Sequence, residues 1–234
     1  MTDTKTLNVG QPLERTEDLR LLRGRGRYAD DLPVSPRTLN AAILRSPHAH
    51  AEIETIDITE AMSMPGVAAV ITGEDVAQHS DPFLVALRQP LHQWPLAVGR
   101  VRYVGEPVAV VIADDRYLAE DALALIEVEY QTLPVVVEVM AAMAADAPIL
   151  HSDVGSNLVN ERQFNYGNPE TAFADATHVV RASVRYPRNS CTPMECFGLV
   201  AEYLAAEQSY DVLANFQGPY ALHPVMARAL KVPG

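Results

Sequence analysis

The strongest constraint on the fold is a pattern of strand, short helix and strand that occurs twice along the chain. Strict alternation and short apolar runs predict strands, whereas apolar residues spaced three and four apart predict helices. Each copy contains one almost continuous apolar run. The predicted elements are Ala51–Ile58, Thr59–Met64 and Val67–Thr72 in the first copy, and Pro107–Ala113, Arg116–Leu125 and Ile126–Tyr130 in the second. The pattern therefore predicts two compact β-α-β units.

The composition is that of an ordinary globular protein, with 48% hydrophobic and 21% charged residues among 234. At this length folding removes roughly 70–75% of the chain's surface from water, so a sizeable core is expected. The net charge of −12 argues against nucleic-acid binding, which needs a clustered excess of Lys and Arg. No segment approaches a membrane span and residues 1–10 lack an apolar signal core, so we expect a cytoplasmic protein.

Two stretches have the composition of irregular structure. Residues 1–37 are polar and rich in Arg, Asp and Pro, which predicts an extended arm. Its arginines at 20, 23, 25 and 27 stand among acidic residues, so we interpret it as a salt-bridged arm, with anion binding as the alternative. Residues 79–100 contain three prolines and the only tryptophan, which predicts a long excursion rather than a regular element.

A second set of elements follows the Ala- and Met-rich linker segment Glu138–Pro148. The set ends with two strands and a helix, and it leaves the edge of a sheet with nothing to cover it. We therefore expect an unfinished domain and a large apolar surface on residues 150–234. The predicted elements are helix Pro169–Asp175, strands Thr177–Tyr186, Gly198–Leu204 and Tyr210–Phe216, and helix Pro219–Leu230.

Some residue pairs that could carry chemistry have ordinary explanations. His48 and His50 are two apart, as in a metal pair, but no third ligand is evident, and a loop held by histidine hydrogen bonds is favoured. Ser46 with His50 and an acid could form a catalytic triad, but Ser46 has no nucleophile elbow, which argues against a hydrolase. Cys191 and Cys196 match neither a redox motif nor a zinc site and are expected to be reduced.

Two further polar residues are candidates for a functional site. Glu195 lies in an apolar stretch, where it could be a buried carboxylate for proton transfer, an ion-pair partner of Arg188 or a backbone cap. Gln217 lies between a predicted strand and a predicted helix. In α/β folds such junctions commonly bear side chains that contact a ligand.

Several segments closely resemble the large subunits of molybdenum hydroxylases of the xanthine dehydrogenase and aldehyde oxidase type. The resemblance covers nearly all of the chain from Leu19 onward. The segments that resemble the α/β-hammerhead domain are RSPHAHA, PGVAAVITGEDV, VRYVGEPVAVVIADDRYLAEDA and VEYQTLPVVV, and those that resemble the start of the molybdopterin-binding domain are NYGNPETAFADATHVV, PMECFGLVAEY and FQGPYALHPVMARAL.

The resemblance implies site residues at the end of the sequence. In the family a glutamine at the position of Gln217 hydrogen-bonds an oxygen ligand of the molybdenum, so Gln217 is the expected catalytic and cofactor-binding residue, with Gly218 beside it. No residue is expected to bind the metal directly. The general base and most pterin contacts of the family have no counterpart in these residues. The sequence departs from the common family pattern at Asn168, Cys196, Phe197 and Tyr220.

The resemblance also implies an α+β fold class, an organisation and a function. We expect an arm over 1–37, the hammerhead domain over 38–140, a linker over 141–164 and the beginning of the molybdenum-cofactor domain over 165–234. The implied protein oxidises a small N-heteroaromatic or aldehyde substrate, with water as the oxygen source. It would need a companion polypeptide to complete the molybdenum–pterin site, and iron–sulfur ([2Fe-2S]) and FAD subunits to remove electrons. The alternatives are a carbon monoxide dehydrogenase-type subunit and a non-catalytic assembly module.

Overall fold

The computed structural model describes residues 9–83 and 91–233. Residues 84–90, which belong to the predicted excursion, lie outside the described residues. The chain divides into two compact units, which we call the core unit and the hairpin unit. The core unit comprises Pro36–Tyr186 and Gly218–Gly234, and the hairpin unit comprises Met1–Ser35 and Pro187–Gln217.

The first sheet of the core unit is built around its most apolar strand. This strand, β5, lies between β1 and β3 and pairs antiparallel with both. Its residues Val108, Ala109 and Val111 are fully buried, as expected for a strand that is covered on both faces. Pro107 is its first residue, where a missing N–H is tolerated. The strands of this sheet are β1 (Asn40–Arg45), β3 (Val67–Thr72) and β5 (Pro107–Ala113).

The second sheet of the core unit has the order β4-β2-β6, and its pairs are also antiparallel. Each predicted copy of strand, helix and strand is therefore divided between the two sheets. In the first copy a parallel pair would need a crossover of a dozen or more residues, and residues 58–66, which join its two strands, are too few. The strands of this sheet are β2 (Ala51–Asp57), β4 (Arg100–Val101) and β6 (Glu127–Thr132).

The helices of the core unit are short and several begin at a side-chain cap. Asp115 caps α4 by accepting a hydrogen bond from the backbone N–H of Leu118 at 2.9 Å, and Asn168 caps α6 in the same way through Thr171. The buried Ala119 and Ala122 of α4 pack into the main apolar core. The helices are α2 (Thr59–Ser63), α3 (Gly73–His79), α4 (Arg116–Leu123), α5 (Val139–Ala142), α6 (Pro169–Ala174) and α7 (Pro219–Ala229).

Helix α3 was not predicted, although its start carries a recognisable signal. The backbone N–H and the hydroxyl of Thr72 both donate to the Asp75 carboxylate at 2.8 Å. These hydrogen bonds hold the pKa of Asp75 below its usual value. A threonine followed three residues later by an acid is a common helix start, so the Thr72–Asp75 pair could have revealed the helix.

The hairpin unit contains two antiparallel strands, β7 (Leu199–Leu204) and β8 (Ser209–Ala214). Leu199 and Tyr203 are 63% and 55% exposed, so this face has no cover within the described residues. The unit also contains α1 (Asp18–Leu22) and a 3-10 helix (Ala29–Asp31). Within this arm Arg15 and Asp18 form an ion pair at 3.6 Å, and the interpretation of a salt-bridged arm stays a prediction.

The predicted strand Thr177–Tyr186 is wrong. In the structure this segment has no regular secondary structure, and Val180 and Val184 are 90% and 88% exposed. Alternation of apolar residues shows which face of a segment could be buried. A strand also needs a neighbouring strand for its backbone hydrogen bonds, and the alternation does not indicate one. The α+β fold class is confirmed by the separate strands and helices of the structure. Within the described residues no helix is long and apolar enough to cross a membrane.

Candidate functional site

Gln217 follows the last strand of the hairpin unit, three residues after β8 ends at Ala214. Its side chain is exposed, and the amide makes no hydrogen bond within the part of the chain that the structure describes. The next residue, Gly218, belongs to the core unit and has a φ of +99°, which favours glycine. Nothing lies within 4 Å of the position that a Cβ would take at Gly218. Gln217 thus presents an exposed amide at the junction between β8 and α7.

The backbone just before Gln217 is fixed by the side chain of Asn215. Its Oδ1 accepts a hydrogen bond from the Gly198 N–H at 2.9 Å, and its Nδ2 donates to the Cys196 carbonyl at 2.7 Å. The backbone N–H of Asn215 also donates to the Gly198 carbonyl at 3.3 Å. We call these three hydrogen bonds from Asn215 to Gly198 and Cys196 the Asn215 clasp. Beside the clasp, Phe216 packs edge-on against Phe197, with ring centroids 5.8 Å apart.

Glu195 acts as a backbone cap. Its Oε1 accepts a hydrogen bond at 2.8 Å from the backbone N–H of Ala29, at the start of the 3-10 helix. A Cβ placed at Gly198 would lie 2.8 Å from the Cβ of Ala29, so the two segments are in close contact. Of the three roles that the sequence left open for Glu195, the structure shows the cap.

The loop Ser46–His50 in the core unit is held by hydrogen bonds. His50 is 4% exposed, and its Nδ1 lies 2.8 Å from the Pro134 carbonyl. The Ser46 hydroxyl donates to the His48 carbonyl and accepts from the His48 N–H, both at 3.0 Å. The hydroxyl is thus engaged with backbone rather than with an imidazole, so Ser46 and His50 do not form a nucleophile–base pair.

The metal alternative for this loop finds no support. Among residues 9–83 and 91–233, no group of three or more His, Cys, Asp and Glu side chains could hold a metal ion. The ring of His48 instead packs against Tyr130, with centroids 4.9 Å apart. The structure therefore favours the loop held by histidine contacts.

Sequence reasoning missed a group of half-buried charged residues near this loop. Burial raises the pKa of Glu106, although the backbone N–H of Arg102 donates to its carboxylate. The guanidinium of Arg102 also donates to the Leu150 carbonyl at 3.2 Å. The Nε2 of His50 is buried and has no hydrogen-bond partner among the described residues. Arg102 and Glu106 are four residues apart, but His50 and Leu150 lie about 50 residues away on either side of them, so no local pattern marks the group.

The pKa of His151 predicts a pH effect on stability. Burial lowers this pKa below the usual 6.5, and the positive charge of Arg102 acts in the same direction. Below pH 6.5 the unfolded chain binds a proton that the folded chain resists, so the free energy of unfolding should fall as the pH is lowered through 6.5. Urea unfolding of His151→Asn should show a smaller loss between pH 7.5 and 5.5 than the parent chain.

The exposed His223 on α7 supplies the control for this experiment. His223→Asn should keep the pH dependence of the parent chain. An unchanged loss in His151→Asn would show that His151 does not contribute to it.

Comparison with protein families gives two matches that together cover most of the chain. The model described as "Aldehyde oxidase and xanthine dehydrogenase, a/b hammerhead domain" matches residues 23–134. The model described as "Molybdopterin cofactor-binding domain" matches residues 150–234. The Ser46–His50 loop falls within the first match, and Gln217 falls within the second.

Curated relatives match nearly the whole chain. The nicotine 6-hydroxylase large subunit of Paenarthrobacter nicotinovorans is 36% identical over 91% of the chain and 26% of the relative. The carbon monoxide dehydrogenase large chain of Afipia carboxidovorans is 32% identical over 98% of the chain and 30% of the relative. The chain thus spans less than a third of either relative.

A solved structure shows a similar backbone. Quinoline 2-oxidoreductase from Pseudomonas putida 86 superposes with a TM-score of 0.85 and 38% identity, over 98% of this chain and 29% of that one. The Cu,Mo-CO dehydrogenase in its carbon monoxide-reduced state gives 0.79 and 32%. The described fold is therefore also the fold of the matching part of these proteins.

Proposed function

We infer the function from the family: the chain belongs to the xanthine dehydrogenase and aldehyde oxidase family of molybdenum hydroxylases, as an N-terminal portion of the molybdopterin-binding large subunit. We propose that it takes part in oxidising an N-heteroaromatic or aldehyde substrate. Water is the proposed source of the oxygen atom. The observation that carries this proposal is the likeness to quinoline 2-oxidoreductase, at 38% identity and a TM-score of 0.85. Nicotine 6-hydroxylase, whose large subunit is 36% identical, is named for a related heteroaromatic substrate. N-heteroaromatic oxidation is therefore favoured.

The residues present fit one contact to the family's molybdenum–pterin cofactor. Gln217 offers an exposed amide that has no partner among the described residues, and Gly218 adds no side chain beside it. When bound, the cofactor supplies the redox centre at which the substrate is oxidised. The proposed role of this chain is to present the Gln217 amide to that centre, where a neutral hydrogen bond orients without adding charge. Contacts of this outer kind contribute about 10- to 100-fold in activity.

The remaining parts of the site come from protein outside the 234 residues, on a companion polypeptide or on a further part of the same one. The matched share of the relatives, 26% for nicotine 6-hydroxylase and 30% for carbon monoxide dehydrogenase, supports this proposal. The exposed Leu199 and Tyr203 of the hairpin unit are available for such protein to cover. We further propose iron–sulfur and FAD subunits as electron acceptors, and a cytoplasmic location.

A second candidate function is carbon monoxide oxidation. It is favoured by the 32% identity to the carbon monoxide dehydrogenase large chain over 98% of this chain. We rank it below N-heteroaromatic oxidation because the structural likeness, with a TM-score of 0.79, is lower than that to the quinoline enzyme.

Native purification of the complex that contains this chain tests the proposal. We expect molybdenum, iron and flavin to co-purify, and we expect quinoline or an aldehyde to be hydroxylated with oxygen from ¹⁸O-labelled water. Oxidation of carbon monoxide without hydroxylation would favour the second candidate. A complex that contains no molybdenum and oxidises none of these substrates would contradict both.

A further inference from the structure

The side chain of Asn215 continues the strand pairing beyond the end of the hairpin. The ladder between β7 and β8 ends at the pair Leu199 and Ala214. One residue further on, Asn215 engages Gly198 through both its backbone N–H and its Oδ1, and it reaches Cys196 through Nδ2. Three hydrogen bonds thus fix the backbone two residues before Gln217.

The clasp needs a side chain at position 215 that both accepts and donates hydrogen bonds. The contact to Gly198 needs an acceptor, and the contact to the Cys196 carbonyl needs a donor. A carboxylate accepts only, an alkyl side chain does neither, and the short asparagine carries both groups. The backbone that Asn215 contacts is held at a second point, because the neighbouring Glu195 side chain accepts a hydrogen bond from the backbone N–H of Ala29 at 2.8 Å. The turn is therefore tied to the rest of the hairpin unit as well as to its neighbouring strand.

We propose that Asn215 is a positioning residue that sets the direction in which Gln217 leaves β8, through its clasp on the Cys196–Gly198 backbone. This inference rests on the proposed role of Gln217. Gln217 is exposed and makes no hydrogen bond of its own among the described residues, so its placement depends on the backbone that precedes it. Small misplacements of a group near a reaction centre have large effects, up to about 100-fold for 1 Å.

The test compares variants of the assembled enzyme by turnover and by hydrogen exchange. In Asn215→Ala the amides of residues 196–198 should exchange faster with deuterium, kcat should fall by about 10-fold, and KM should change by less than about two-fold. Asn215→Asp keeps the acceptor for Gly198 but sets a carboxylate against the Cys196 carbonyl. Asn215→Asp should show the same changes in deuterium exchange, kcat and KM as Asn215→Ala. It replaces the alanine variant in the test if that variant does not fold.

Asn157 provides a matched control in the core unit. Its Oδ1 accepts from Leu150 N–H at 3.0 Å, and its Nδ2 donates to the carbonyls of Ala142 and Pro148 at 3.1 and 2.9 Å. Asn157→Ala therefore removes a similar clasp and should lower stability, but it should leave kcat and the exchange of residues 196–198 unchanged.

Combining Asn215→Ala with Gln217→Ala separates the possible failures. If Asn215 acts through Gln217, the double variant should turn over no more slowly than Gln217→Ala alone. Two outcomes would overturn the positioning role but leave the proposed role of Gln217 standing. In the first, the kcat loss of the double variant equals the product of the two single losses. In the second, Asn215→Ala has a normal kcat although Gln217→Ala is slow. A normal kcat in Gln217→Ala would overturn both.

Discussion

Turnover of the assembled enzyme should fall by about 10- to 100-fold when Gln217 is replaced by alanine, while molybdenum content and subunit assembly remain almost unchanged. The side chain is exposed and has no hydrogen-bond partner among the described residues, so its removal leaves no buried group unpaired. A neutral amide that hydrogen-bonds a cofactor oxygen contributes more to orientation during reaction than to retention of the cofactor. Steady-state kinetics and metal analysis on the same preparation measure the two effects separately.

Gln131 on β6 supplies a matched control, because it is also an exposed glutamine but lies in the core unit. Gln131→Ala should retain the turnover and metal content of the parent enzyme. Loss of molybdenum from Gln217→Ala would identify this residue as a cofactor anchor instead. Turnover equal to that of the parent would show that the role carried over from the family does not hold at this position.

The largest effect on stability is expected from Gly73→Ala, at the start of α3. A Cβ at this position would lie 2.0 Å from the backbone oxygen of Ala97 and 2.7 Å from its carbonyl carbon. The backbone N–H of Ala97 donates a hydrogen bond to the Pro107 carbonyl at 2.8 Å, and Pro107 is the first residue of β5. Ala97 therefore cannot move away from the new Cβ without breaking this hydrogen bond to β5. Overpacking against backbone should cost about 3 kcal/mol, more than the roughly 1 kcal/mol that alanine gains over glycine in a helix.

Urea unfolding of Gly73→Ala and of a control variant, Gly26→Ala, measures this cost. At Gly26 the nearest atom to an added Cβ is the end of the Leu21 side chain at 3.2 Å, which can move. The control should therefore stay within about 0.5 kcal/mol of the parent chain. Equal stabilities for the two variants would show that the contact with Ala97 relaxes freely.

Many local elements could be predicted from the sequence. Strand β5 has the predicted bounds Pro107–Ala113, because a run of apolar residues marks burial regardless of which strands lie beside it. The start of α7 at Pro219 was predicted for a similar reason, since proline is favoured in the first turn of a helix. Gln217 was placed between β8 and α7 by the same local signals. The predicted domain boundaries at 37, 140 and 164 remain predictions.

The sequence by itself determined which segments form strands and helices, which side chains are apolar enough to be buried, and which family the chain resembles, because these properties depend on residues that are close together along the chain. Only the tertiary structure decided how the strands of the core unit are divided between two sheets, that residues 177–186 form no strand within the described part of the chain, and that Asn215 hydrogen-bonds the backbone of Cys196 and Gly198. These outcomes depend on contacts between segments far apart in sequence. A hydrogen-bond partner or a packing neighbour of that kind leaves no mark in the local pattern, so the clasp that precedes Gln217 became visible only in the folded chain.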